Sequence, residues 1–203
     1  DLDALLADPA GCLKRVFVQV DEELRTESPH KAHMLGSGTT ATVAYMRGNE
    51  MWVAWVGDSR GIKAATSGPP AAGRVVASDL SHDHKPDLPG ERARIEAAGG
   101  EVAAGGSKKG GEGAGGLRVW NKGAVGLAMS RSIGDGTVKA VGVIAEPEVA
   151  KFELAPARAA GAASGGDAFV LLASDGVWEF ISSQEAADVV ARHPENATKA
   201  CED

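Results

Sequence analysis

Residues 168–180 read AFVLLASDGVWEF, six apolar residues in a row that lead to a single carboxylate, Asp175, followed by Gly176. A run too short for a helix and rich in β-branched and aromatic side chains predicts a strand buried on both faces. The carboxylate then sits where a rigid element meets solvent. Gly176 removes the side chain that would hold a ligand or another backbone at a distance. Two readings stand at this point: Asp175 caps the following turn, as Asp-Gly pairs often do, or it holds a cation.

The rest of the chain reads as strands in groups with helices set between them. Asp8-Pro9 predicts a helix start, with an acidic N-cap and Pro at the first helical position, and Leu13, Val16, Phe17, Val20 and Leu24 repeat at helical spacing as its buried face. Leu2, Leu5 and Leu6 read as the end of an earlier helix. Thr40 to Arg47 and Met51 to Val56 predict a hairpin turning at Gly48-Asn49. The second strand, MWVAWV, runs into Gly57-Asp58, which places another carboxylate beside a glycine at a strand end. Gly61 to Ala65, Arg74 to Ala77 and Leu117 to Trp120 are further strand candidates. Glu91 to Ala98 is expected as a short helix closed by Gly99-Gly100, and Ser182 with Glu185 as the capping box of a helix running toward His193. Ala103 to Gly116 is low-complexity glycine with Lys108 and Lys109 inside it, expected to be a flexible, solvated loop. This pattern predicts the α+β class with packed antiparallel sheets.

Composition removes several function classes. The chain has 203 residues, a formal net charge of -7 and a pI near 5.3. Length gives no reason to divide it, so one domain spanning 1–203 is expected. An acidic chain without a basic stripe argues against nucleic acid as a partner. No apolar run approaches the roughly 18 residues that span a bilayer. Cys12 and Cys201 lack metal-type or redox spacing and suit a reducing compartment, giving an expectation of a cytoplasmic or nuclear, intracellular location. His82 and His84 are separated by one residue but have no third His or Cys near them, which does not make a zinc site.

Taken together, GSGTTA (Gly36 to Ala41), GDSRG (Gly57 to Gly61), DHKP (Asp83 to Pro86), EAAGGEV (Glu96 to Val102), LAMSRSIGD (Leu127 to Asp135), EPEV (Glu146 to Val149) and LLASDGVWE (Leu171 to Glu179) resemble, in order and spacing, the PP2C or PPM family of metal-dependent protein serine/threonine phosphatases. The resemblance implies two packed antiparallel sheets flanked by helices, an α-β-β-α sandwich incomplete at both ends of this chain. It also implies that Asp175 binds one of two catalytic Mg²⁺ or Mn²⁺ ions and that Asp58 helps to hold a third, weaker one. Ser130, Arg131, Gly134 and Asp135 match a signature taken as mainly structural, the Arg and Asp as a packed ion pair. The glycine tract at 103–116 falls where the family has its variable flap.

The chemistry is consistent with such a site. Phosphate monoesters hydrolyse extremely slowly unaided, and neither cysteine supports a thiolate route, Cys12 lying in a helix stripe and Cys201 at the terminus. Hard cations take only one or two protein carboxylates each, activate a water and clamp the phosphoryl oxygens. They also reverse the sign of an acidic surface that would otherwise repel phosphate. The family's Asp-Gly-His segment, its phosphate-binding Arg and its late Asp-Asn segment have no match here. The expectation is a phosphatase acting, as a monomer, on phosphorylated proteins, with this segment inactive by itself. The alternative is a pseudophosphatase that serves as a protein-binding or regulatory module.

Overall fold

A computed structural model describes residues 2–26, 36–67, 74–105, 115–123, 126–155 and 166–203. The chain divides into two compact units interleaved in sequence: Asp1–Ala41, Ala54–Asp58 and Asp83–Val149 form the first, and Thr42–Val53, Ser59–His82 and Ala150–Asp203 the second. Each is built of helices and small antiparallel sheets, so the α+β class holds.

The first unit opens with α1 (Leu2–Ala7) and α2 (Pro9–Thr26). Asp8 caps α2 as its sequence implied, its carboxylate accepting the Gly11 N–H at 2.9 Å. The buried stripe of α2 keeps Leu13 and Phe17 of the expected face but not Val16 and Val20. Cys12, Leu13, Phe17 and Asp21 face inward, while Val16 and Val20 are exposed. The apolar period was overruled by an acid: the Asp21 carboxylate accepts the Gly134 N–H at 2.8 Å and pairs with Lys139 at 3.1 Å, which turns that edge of the helix toward the interior.

In the same unit β1 (Gly38–Thr39) pairs with β9 (Ile133–Gly134), and β6 (Glu101–Gly105), β7 (Gly115–Trp120) and β8 (Gly126–Leu127) form an antiparallel sheet in that order. The two ends of the glycine tract are therefore strand, with Ala103 opposite Arg118 and Gly105 opposite Gly115. A cross-strand ladder satisfies backbone groups whatever the side chains, so low complexity alone does not exclude pairing. Residues 106–114, the rest of the expected loop, lie outside the described residues. α3 (Pro89–Ala97) and α4 (Gly136–Lys139) complete the unit. Ile95, Val102, Val119, Val138, Val141 and Val143 make its core.

In the second unit β4 (Arg60–Ser67) lies between β11 (Asp167–Ala173) and β5 (Arg74–Asp79), antiparallel to both. A cluster of Ile62, Ala64 and Ala187 gathers Val75, Ala77, Phe169, Leu171 and Trp178 on one face of this sheet. Ala187 belongs to α6 (Ser183–Ala191), which begins at the predicted capping box of Ser182 and Glu185. α5 (Asp175–Trp178) precedes it and α7 (Ala197–Glu202) follows.

A second sheet has the order β10 (Glu148–Glu153), β3 (Glu50–Val56), β2 (Ala41–Arg47). Its hairpin turns at Gly48, whose φ of +61° is the conformation the Gly-Asn pair implied. The expectation of a strand buried on both faces belongs to β3, where Met51 through Val56 are all buried. It fails for β11: Phe169 and Leu171 point into the cluster, whereas Leu172 remains 41% exposed. Among the described residues β11 is an edge strand and β3 a central one, and an unbroken apolar run does not distinguish the two. No helix among the described residues is long and apolar enough to cross a membrane.

Candidate functional site

The last three residues of β3, Ala54–Val56, belong to the first unit, and from them the chain turns sharply into Asp58. Gly57 sits at φ +94°, where a side chain would be strained, and a Cβ there would lie 2.3 Å from the Thr40 methyl. Only glycine lets the turn nest against Thr40 in this conformation. Asp58 is consequently delivered to a buried position, 2% exposed. A lone buried carboxylate is costly, and here Lys85 answers it, Nζ lying 2.5 Å from Oδ2. Nothing in the chain's local pattern points to this pair beyond the place of Lys85 in DHKP.

His84, the residue before Lys85, braces the same turn. Its backbone N–H donates to the Gly57 carbonyl at 2.9 Å, and its Nδ1 accepts the Gly57 N–H at 3.2 Å. The ring is fully buried, stacked on Trp55 with centroids 6.0 Å apart, and its Nε2 lies 3.3 Å from Glu148 Oε1. Accepting at Nδ1 places the ring proton on Nε2, so Glu148 is the acceptor. Burial pushes the His84 pKa down to about 4, helped by the Arg131 charge and opposed by Glu91 and Glu148. A folded state that keeps this imidazole neutral binds fewer protons than the unfolded chain between about pH 6.5 and 4. Unfolding free energy is therefore expected to be full above pH 6.5 and to fall, by on the order of 3 kcal/mol from this group, as the pH drops toward 4. Urea titrations across that window would check it, with His84→Asn as the variant whose slope flattens.

Around His84 lies a denser set of charges. Glu91, at the start of α3 and 5% exposed, accepts two bonds from Arg94 at 2.7 and 2.8 Å, a bond from Arg131 at 2.7 Å and one from the Ser130 hydroxyl at 2.5 Å. Burial works to raise its pKa, but the donors from Arg94, Arg131 and Ser130 outweigh it and hold the carboxyl well below the usual range. Arg131 also reaches Glu148 at 3.1 Å. The expected ion pair of Arg131 with Asp135 is thus corrected: the partners of Arg131 are Glu91 and Glu148, because the ladder of β1 with β9 carries the chain away between residues 131 and 135. Glu91 sat in a helix with nothing in its spacing to single it out.

Asp135 has another character. It is a non-glycine residue at φ +50°, and its N–H donates to the Ser37 carbonyl at 2.7 Å. Its carboxylate lies where a Cβ on Gly38 would sit, 2.1 Å from Oδ2, so the bare backbone of GSGTTA is what makes room for it. Left-handed backbone in a residue without glycine's freedom is a cost that recurs at functional sites.

Asp175 belongs to the second unit. The reading that it caps the next turn is not realised: Ser174 is the N-cap of α5, and Asp175 is the first helical residue, with its carbonyl accepting the Glu179 N–H at 2.8 Å. Its side chain is exposed. The turn is held from below by Trp178, whose indole N–H donates to the Ala173 carbonyl at 2.7 Å and whose ring lies 5.5 Å beneath the Arg60 guanidinium. Gly176 is helical, and a Cβ there would meet the Ser174 hydroxyl at 3.7 Å, an ordinary contact.

The sequence matches the protein phosphatase 2C family model over residues 2–203. The chain is 34% identical over 93% of its length to the probable protein phosphatase 2C 35 of Arabidopsis thaliana, and 38% identical over 91% to the probable protein phosphatase 2C 12 of Oryza sativa. It covers 54% and 43% of those two proteins, so it spans about half the length of the curated relatives it matches. Its fold is similar to that of a serine-threonine phosphatase 2C from Toxoplasma gondii, with a TM-score of 0.75 at 20% identity over 98% of this chain and 62% of that one. The chain belongs to the protein phosphatase 2C family.

Proposed function

We propose that the protein containing this chain is a Mg²⁺- or Mn²⁺-dependent phosphatase that hydrolyses phosphoserine and phosphothreonine in proteins, with Asp58 and Asp175 each serving as a metal ligand. The observation that carries this reading is Asp58: a carboxylate buried at a strand end, beside a glycine in a backbone conformation that a side chain would strain, with a cation already against one oxygen. A position that stabilises an ammonium stabilises a hard divalent ion by the same field, and carboxylate oxygens are the donors such ions take.

When bound, Mg²⁺ or Mn²⁺ supplies charge neutralisation for the phosphoryl group and a water acidic enough to react at neutral pH. The chain's own residues do the positioning. Asp58 and Asp175 each present anionic oxygens from a hydrogen-bonded turn, and Lys85 keeps the Asp58 charge compensated when no divalent ion is there. In the full-length protein, phosphopeptide hydrolysis is expected to require added Mn²⁺, to be lost on chelation with EDTA and to return when Mn²⁺ is restored. Turnover that survives exhaustive chelation contradicts the reading; a well-folded full-length protein with no turnover under any metal favours the pseudophosphatase.

A further inference from the structure

Among the described residues of its unit His84 is the most buried titratable side chain, and the metal ligands proposed above do not include it. The hydrogen bonds of its backbone N–H and Nδ1 lead to one turn. The backbone N–H and Nδ1 of His84 together grip both polar groups of Gly57, the residue whose conformation determines where Asp58 points. The next residue, Lys85, carries the cation on Asp58, and the His84 carbonyl accepts the Ser130 N–H at 2.8 Å, which ties the same segment to the Glu91 cluster. Trp55 holds the ring plane, and Glu148, itself held by Arg131, receives Nε2. A Gly57 N–H buried without its acceptor would be left unsatisfied, and the turn could regain a partner only by moving.

We propose that His84 is a positioning residue for the cation-binding carboxylate: its unprotonated Nδ1 fixes the Gly57 backbone, and with it the direction in which Asp58 meets a divalent ion. This rests on the reading of Asp58 as a metal ligand. The arrangement resembles the outer partners that orient metal ligands elsewhere, but acts through the backbone of the preceding residue rather than through the ligating oxygen.

The test is Mn²⁺ binding to the full-length protein by calorimetry, with His84→Phe, His84→Asn and Asp58→Asn compared with the parent. Phe keeps the ring against Trp55 but offers no acceptor; Asn loses the ring but keeps an oxygen close to the Nδ1 position. Mn²⁺ affinity is expected to fall about 10- to 100-fold in His84→Phe and to stay within about tenfold of the parent in His84→Asn. A merely packing role gives the reverse order, since Asn leaves a void and Phe does not. Equal affinities, or tighter binding by His84→Phe, overturn the inference. If Asp58→Asn binds Mn²⁺ weakly while His84→Phe binds like the parent, the inference alone fails; if Asp58→Asn binds like the parent, the reading of Asp58 fails and takes the inference with it. Imidazole ¹⁵N resonances of the parent decide the matter even should neither His84 variant fold. The neutral tautomer protonated at Nε2 is expected, and protonation at Nδ1 overturns the proposal.

Discussion

Asp175→Asn in the full-length protein is expected to reduce Mn²⁺-dependent hydrolysis of a phosphopeptide by more than about a hundredfold, a loss larger than that caused by removing the outer partners of metal ligands. The substitution keeps the shape of the side chain and removes its charge, and a neutral amide is a poor ligand for a hard divalent ion. It should leave the fold untouched. Asp175 is exposed at the first position of a one-turn helix, and the turn is fastened by Trp178 and by main-chain bonds from Val177 and Glu179 that do not involve the carboxylate. Surface changes of this kind stay within about 0.5 kcal/mol. The pair of measurements is therefore decisive: steady-state turnover with Mn²⁺, and urea unfolding of the same preparation. Undiminished turnover removes Asp175 from the metal ligands. Asp58→Asn is the less clean probe, because it also leaves the Lys85 ammonium beside a neutral, buried partner.

Glu91→Ala is expected to be the most damaging single change to the fold of the first unit, costing about 3–5 kcal/mol of unfolding free energy. The carboxylate is the common acceptor for two guanidinium groups, and its removal takes from Arg94 the carboxylate it pairs with and leaves Arg131 to Glu148. Ser130, fully buried, loses its partner as well. The effect reaches further than α3. Arg94 donates to the Gly142 and Ser130 carbonyls at 2.9 and 3.0 Å, and Arg131 to the Glu146 carbonyl at 3.1 Å, so the guanidinium groups stitch the helix to the chain on either side of β9. Denaturant unfolding measures the loss. A cost below about 1 kcal/mol would mean that water replaces the carboxylate at little expense, and that the cluster is a surface network.

The two substitutions differ in kind, and so did the legibility of their residues. Asp175 announced itself by ending an apolar run, and Asp58 by following MWVAWV through a glycine. Glu91 looked like any acidic residue in the first turn of a short helix. Burial of a charge depends on where its partners come from, and here they come from residues 3 and 40 positions away. The same distinction explains α2. Its apolar spacing pointed to Val16 and Val20, but the inward edge went to Asp21, because Lys139 and the Gly134 N–H, more than a hundred residues further on, supply what a buried carboxylate needs.

Local chemistry settled the rest from sequence alone. The Asp8 cap, the Gly48 turn, the Ser182–Glu185 box and the alternation of strands with helices follow from dihedral preferences and hydrogen-bonding groups a few residues apart, which any context must respect. The succession of motifs likewise makes the family recognisable from sequence. Tertiary structure decided which apolar strand became central and which an edge among the described residues, that Arg131 pairs with Glu91, that Asp58 meets Lys85, and that His84 grips Gly57. Those outcomes are contacts between distant segments in a medium of low polarity, where the partner rather than the residue type determines the energy.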